Sequence, residues 1–168
     1  MMSRHRKKKR SQEKWTYEQT VEMFVQACGL RKTELERLRV RDFYQGRYDF
    51  VYEEQWIHVD AFDDLPAHEV PFEPNSTWLI AEVCKGKSTD DLVFSELPVL
   101  DYENLRDRYA NNLFLRYYCC LGMTGAPNTL PGLSKLVKRA LGLRHYDVRL
   151  KQMIRWAYRD TRSEMGIL

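Results

Sequence analysis

Between Trp15 and Cys28 the apolar residues Tyr17, Val21, Phe24, Val25 and Cys28 recur three or four positions apart. That spacing lines one face of an α-helix, and Gly29 follows where a left-handed residue closes one. A second short helix is expected next. Thr33 with Glu36 three residues on fits a capping box, and Leu35, Leu38 and Val40 supply its apolar side. The period then changes from helical to alternating. "DFVYEEQWIHVD" and "AHEVPF" alternate apolar and polar residues on either side of "AFDDLP", which predicts a β-hairpin. Helical spacing returns from Thr77 to Cys84, and the loop "KGKSTDD" leads into the short extended piece "LVF". Asp101 is placed to cap a long helix to about Tyr118, with Leu105, Tyr109, Leu113 and Tyr117 at successive i, i+4 steps. "GMTGAPNTLPG" reads as a loop, and Leu133 to Leu141 as a helix. A final helix carries Leu150, Met153, Ile154, Ala157 and Tyr158 on one face. No internal repeat is apparent. The expected fold is mainly α with a small antiparallel β-sheet to one side, an α+β domain.

Composition fixes the scale of this picture. A chain of 168 residues, 43% hydrophobic with four Trp, ten Tyr and seven Phe, can bury one core. No apolar run approaches the ~20 residues of a membrane span, and no apolar signal segment opens the chain, so a cytoplasmic protein is expected. Cys28, Cys84, Cys119 and Cys120 lack CxxC spacing, and an adjacent pair is poor geometry for a disulfide. Buried reduced thiols are expected, with no metal site and no cofactor.

Charge changes the picture more. Residues 1–10 carry Arg4, Arg6, Lys7, Lys8, Lys9 and Arg10 and no acid, so the remainder of a chain of net charge +3 is net acidic. Asp49 to Glu103 holds fourteen acids against Lys85 and Lys87, whereas Pro131 to Leu168 holds nine Lys or Arg against three acids. Residues 1–13 read as a disordered basic tail ahead of one domain over 14–168. A basic tail binds polyanions by neutralising phosphates and releasing counterions, or merely solubilises.

In "GLRKTEL", Arg31 stands between a Gly-Leu break and a new helix, near the positive end of that helix, where an anion is favoured. A pairing with a nearby carboxylate such as Glu34 is the plainer alternative. Gly-Leu-Arg-x-x-Glu-Leu followed by "LRVRDF", a hairpin, "LVF" and a long helix resembles the catalytic domain of tyrosine recombinases, the phage-integrase family. "LRDRYANNLFLRYYC" and "LVKRALGLRH" add likeness to integrases of conjugative and transposable elements. The resemblance covers about residues 15 to 155, and it implies a recombinase-like fold and a phosphoryl transfer in which a tyrosine attacks the DNA backbone. In that family two arginines hold the phosphate, while a hairpin lysine and histidines manage protons.

Residue by residue, the resemblance gives Arg31 the first arginine slot and Arg106 the second. Glu103 stands where the family places a histidine three residues earlier. Asp63 and Asp64 occupy the hairpin turn where a lysine is usual, and no lysine lies between Lys32 and Lys85. The "LGH" box reads Leu141, Gly142, Leu143, with His145 two residues on. The nucleophile's expected place falls on Gln152 or Met153, which leaves Tyr158 as a displaced candidate. Arg106 can equally be a solvated helix arginine, His145 a surface histidine and Tyr158 a packing residue. The core-binding domain that usually precedes the catalytic domain is expected to be missing.

The resemblance thus implies a degenerate integrase-like DNA-binding protein of a mobile genetic element that does not cleave DNA. Its DNA contacts are expected from Arg4, Arg6, Lys7, Lys8, Lys9 and Arg10 and from Lys135, Lys138, Arg139 and Arg144. Two alternatives stand beside it. One is a non-enzymatic regulator that packs on a partner recombinase, or on itself, through the last helix. The other is an active integrase using Tyr158 and His145.

Overall fold

The computed structural model describes residues 14–47, 53–124 and 130–143, together with the single positions Gln152, Arg155 and Arg159. Helix α1 (Tyr17–Cys28) begins at a reciprocal cap: Gln19 N–H donates to the Thr16 hydroxyl at 3.2 Å, and Thr16 N–H donates to the Gln19 side chain at 2.9 Å. Its close is as the pattern predicts, with Gly29 at φ 63° donating to the Val25 carbonyl. Val21, Phe24, Val25, Ala27 and Cys28 are buried. Tyr17 is instead exposed, and its hydroxyl donates to the Glu96 carbonyl.

Helix α2 (Lys32–Leu35) is a single turn, and its cap lies two residues ahead of the expected Thr33–Glu36 box. Arg31 N–H donates to Glu34 Oε2 at 2.7 Å, so Glu34 rather than Glu36 reaches back to the helix start. The reason lies in the Arg31 side chain. Glu34 also captures the Arg31 side chain, a gain that Glu36 does not have.

A 3₁₀ turn at Val40–Asp42 leads into β1 (Phe43–Arg47), a strand the alternation does not announce. Its pairing partner explains it: β2 (Glu53–Val59) runs antiparallel to it with Phe43 opposite Ile57, and Phe43 joins the core. Strand β3 (His68–Pro71) completes the expected hairpin on the other side of β2, with Ile57 opposite Val70 and Val59 opposite His68. The sheet order is β1-β2-β3.

A 3₁₀ turn at Pro74–Ser76 precedes α3 (Trp78–Cys84). The "LVF" segment makes one bridge, Leu92 to Arg39, and Val93 N–H donates to the Leu38 carbonyl at 2.8 Å. Helix α4 (Tyr102–Thr124) starts where Asp101 accepts from Asn104 N–H at 3.1 Å. Leu105, Tyr109, Leu113 and Tyr117 form its buried stripe, as their spacing requires.

The expected loop after Tyr118 is helical at both of its ends. Helix α4 continues to Thr124, and α5 (Leu130–Ala140) already includes Pro131 in its first turn, where a missing N–H costs nothing. Residues 125–129 lie outside the described set.

The core gathers on Phe24, whose ring meets Phe43, Phe72 and Phe94 at centroid distances of 6.2, 5.2 and 5.1 Å. One α1 side chain thereby ties the sheet and the extended segment together, and α4 packs along α1. The architecture is mixed helix with a small three-stranded antiparallel sheet. Among the described residues no helix is long and apolar enough to cross a membrane. Gln152, Arg155 and Arg159 are helical and exposed; the apolar face expected for that helix, Tyr158 included, lies outside the described residues.

Candidate phosphate-binding site

Arg31 sits in the cap position of α2 and does not project free into solvent. Its Nη1 donates to Glu34 Oε1 at 2.6 Å, and its side chain is 16% exposed against 7% for Glu34. This is the carboxylate pairing that the tripeptide alone suggests, at a distance typical of a charge-assisted bond. The second guanidinium nitrogen reaches the Gly142 carbonyl at 3.5 Å, the outer limit of a hydrogen bond.

Arg106 comes to the same place from the first half of α4. Its Nε donates to the Gly29 carbonyl at 2.9 Å and its Nη2 to the Leu141 carbonyl at 3.2 Å. Burial, then the nearby Arg31 charge, lower its pKa, yet an arginine remains cationic throughout. The fold therefore brings Arg31 and Arg106 together on two consecutive carbonyls, Leu141 and Gly142, at the carboxyl end of α5. Those carbonyls belong to the turn that closes α5: Leu141, Leu143 and Gly142 N–H donate to Val137, Lys138 and Arg139 of the last turn, Gly142 at φ 62° turns the chain away, and the two guanidinium groups take the carbonyls that follow.

The imidazole in this cluster is not one that the family motif points to. His68 opens β3 and is 4% exposed, with Nε2 3.7 Å from Glu34 Oε1 and Nδ1 3.1 Å from the Pro66 carbonyl. Burial, the largest influence, lowers its pKa; Glu34 opposes the shift, and Arg31 and Arg106 add to it. The sequence does carry a signal for it: His68 is in phase with Val70 and Phe72, the inward face of a strand that alternates. Its partner Glu34 is legible there only as a generic carboxylate near Arg31.

Beside the cluster runs an open groove of about 500 Å³, walled by His68 and Glu69 on one side and by Lys135, Lys138 and Arg139 of α5 on the other, with Gly142 on its floor. Its acid is engaged elsewhere: Glu69 accepts from the Tyr44 hydroxyl at 2.6 Å and lies 2.5 Å from His58 Nδ1. The groove thus lines three cations of α5 beside His68 and Gly142, both of which also touch the cluster of the two half-buried arginines.

The remaining expectations fall apart from this cluster or outside it. Glu103 is exposed on the first turn of α4, and Asp63 and Asp64 stand in the hairpin turn, Asp63 at φ 50°. Arg4, Arg6, Lys7, Lys8, Lys9, Arg10, Arg144, His145 and Tyr158 lie outside the described residues. Cys28 is buried and reduced, as expected, whereas Cys84 is only half-buried because α3 turns it partly toward solvent. Among the described residues no group of His, Cys, Asp or Glu could hold a metal ion. A separate cleft of about 370 Å³ separates α2 from the hairpin, where the Arg37 guanidinium lies 3.9 Å from the centre of the Phe62 ring.

The two described histidines of the hairpin carry opposite pH signatures. His58 lies between Glu69 and Asp60, at 2.5 and 3.1 Å, and the Glu69 bond is the main cause of its raised pKa. Its contribution is full below the unfolded value near about 6.5 and is lost as pH rises through the folded value. His68, depressed, contributes above about 6.5 and loses that contribution as pH falls through its folded value. Urea unfolding at mildly acidic and mildly alkaline pH should therefore show His58→Gln losing more against wild type in acid. His68→Gln should lose more in alkali.

Compared with known proteins, the chain matches no family model, no curated protein and no solved structure at a significant level.

Proposed function

We propose that this chain is a DNA-binding protein of a mobile genetic element, built like a degenerate tyrosine-recombinase catalytic domain and unable to cleave DNA. The observation that carries the reading is the convergence of Arg31 and Arg106 on the turn after α5, next to a groove lined by Lys135, Lys138 and Arg139. The three α5 cations that line the groove, with the positive charge of Arg31 and Arg106 nearby, favour a phosphodiester backbone, which such a surface holds without reading base sequence. The loss of cleavage follows from what replaces the family's chemistry. Both guanidinium groups are committed to protein acceptors, acids occupy the hairpin turn, and a carboxylate stands on α4 where the family has a histidine.

The test is anisotropy of a short fluorescein-labelled duplex across a salt titration. Wild type should bind weakly with a steep salt slope. The triple change of Lys135, Lys138 and Arg139 to Gln should weaken binding and flatten the slope by about one unit for each phosphate that is no longer neutralised. Deleting residues 1–10 should weaken it further. Binding that ignores salt, or ignores both changes, rejects the reading. On nicked suicide substrates no covalent adduct is expected. An adduct that disappears in both Tyr158→Phe and Arg31→Ala would replace the proposal with an active, shortened recombinase.

A further inference from the structure

The Glu34 carboxylate is shared unequally by two groups. Arg31 Nη1 holds Oε1 at 2.6 Å, and the His68 Nε2 waits 3.7 Å from that same oxygen. The other side of the imidazole settles which nitrogen carries hydrogen. Nδ1 faces the Pro66 carbonyl at 3.1 Å, and a carbonyl can only accept, so Nδ1 is the donor and a neutral His68 presents a bare Nε2 lone pair to a carboxylate oxygen. Two acceptors face each other there without a hydrogen bond. Gly142 packs against one side of the ring so closely that a Cβ there would lie 2.5 Å from its Cε1 and Nδ1.

We propose that His68 and Glu34 form a proton-operated gate on the arginine cluster: a proton taken from solvent onto Nε2 draws Glu34 Oε1 toward the imidazole, loosens Arg31, and raises the affinity of the adjoining groove for phosphodiester anions. The inference rests on the DNA-binding reading above and adds its regulation.

The groups that face His68 support this direction. From the α2 side come Glu34 and Arg31, from α4 Arg106, from its own strand Glu69, and from α5 Lys135, Lys138 and Arg139. All but the two carboxylates are cations, and Glu69 is held by Tyr44 and His58, so Glu34 alone is placed to receive the new imidazolium. The thiol of Cys28 is the remaining titratable group near Glu34; burial pushes its pKa far up, and it stays protonated. Burial first, and cation crowding added to it, keep the gate closed at neutral pH. A bound phosphate offsets that crowding, so anion binding and proton uptake reinforce each other. Linkage makes the effect reciprocal: if the proton raises DNA affinity, DNA must raise the proton affinity of His68 by the same factor.

The experiment uses the full chain and the same labelled duplex, at fixed ionic strength, from about pH 8 to about pH 5.5. Acidification should strengthen wild-type binding by about three- to tenfold more than it strengthens His68→Gln or Glu34→Gln. Identical pH profiles for wild type and His68→Gln overturn the gate while leaving the DNA reading intact. Binding unaffected by the α5 changes overturns the DNA reading itself. Should the His68 variant fold poorly, NMR titration of the wild-type His68 ring decides: its pKa must rise when the duplex is added, and an unchanged value overturns the gate.

Discussion

Arg106→Ala is expected to lower the unfolding free energy by about 3–5 kcal/mol, measured by urea unfolding with an unchanged m-value. The Arg106 guanidinium holds two backbone carbonyls. It donates to the Gly29 and Leu141 carbonyls, one at the end of α1 and one at the end of α5, so a single planar fork joins the carboxyl ends of two helices. Removing it leaves both carbonyls short of a donor and leaves Glu34 with less compensating charge. Arg106→Met restores the aliphatic stem without the fork and should recover only the packing share. Arg106→Lys should recover little more, since one ammonium cannot span two carbonyls as the fork does. A loss below about 1 kcal/mol for Arg106→Ala means the carbonyl bonds contribute little, which frees the guanidinium for a ligand.

The same residue shows where sequence reading succeeds and where it stops. Helical periodicity places Arg106 beside the buried stripe of Leu105, Tyr109 and Leu113, and the Gly-Leu-Arg signal places Arg31 at a helix junction; both positions hold in the fold. Their meeting is implied only by the family resemblance, because no local pattern says that α4 crosses the end of α1 near the turn after α5. The acceptors are wholly illegible, since backbone carbonyls leave no residue signature. Strand β1 escapes the pattern for a related reason: "FYQGR" has weak alternation, and pairing with β2 decides its conformation. His68 escapes it because the resemblance directs attention to a lysine in the hairpin turn. The group that actually reaches the arginines lies at the start of the returning strand, on its inward face.

Gly29→Ala is expected to cost about 2–5 kcal/mol, and Gly86→Ala separates the two causes. Both glycines lie in the left-handed region, at φ +63° and +72°, where any Cβ meets the backbone at a cost of about 1–2 kcal/mol. Gly86 has nothing within 4 Å of its would-be Cβ, so its change to alanine should cost that conformational amount alone. At Gly29 the new carbon would lie 2.3 Å from Cδ1 and 2.8 Å from Cγ of Tyr109. That ring cannot retreat cheaply, because it is buried and its hydroxyl donates to the Pro71 carbonyl at 2.6 Å. Overpacking at such a site adds about 1–3 kcal/mol. Moving α4 outward to make room would also pull Arg106 from the Gly29 carbonyl, which couples the substitution to the arginine cluster. A difference between the two variants of less than about 0.5 kcal/mol would mean that α1 and α4 slide apart at no cost, and with it the close α1–α4 approach that brings Arg106 to its place would be wrong.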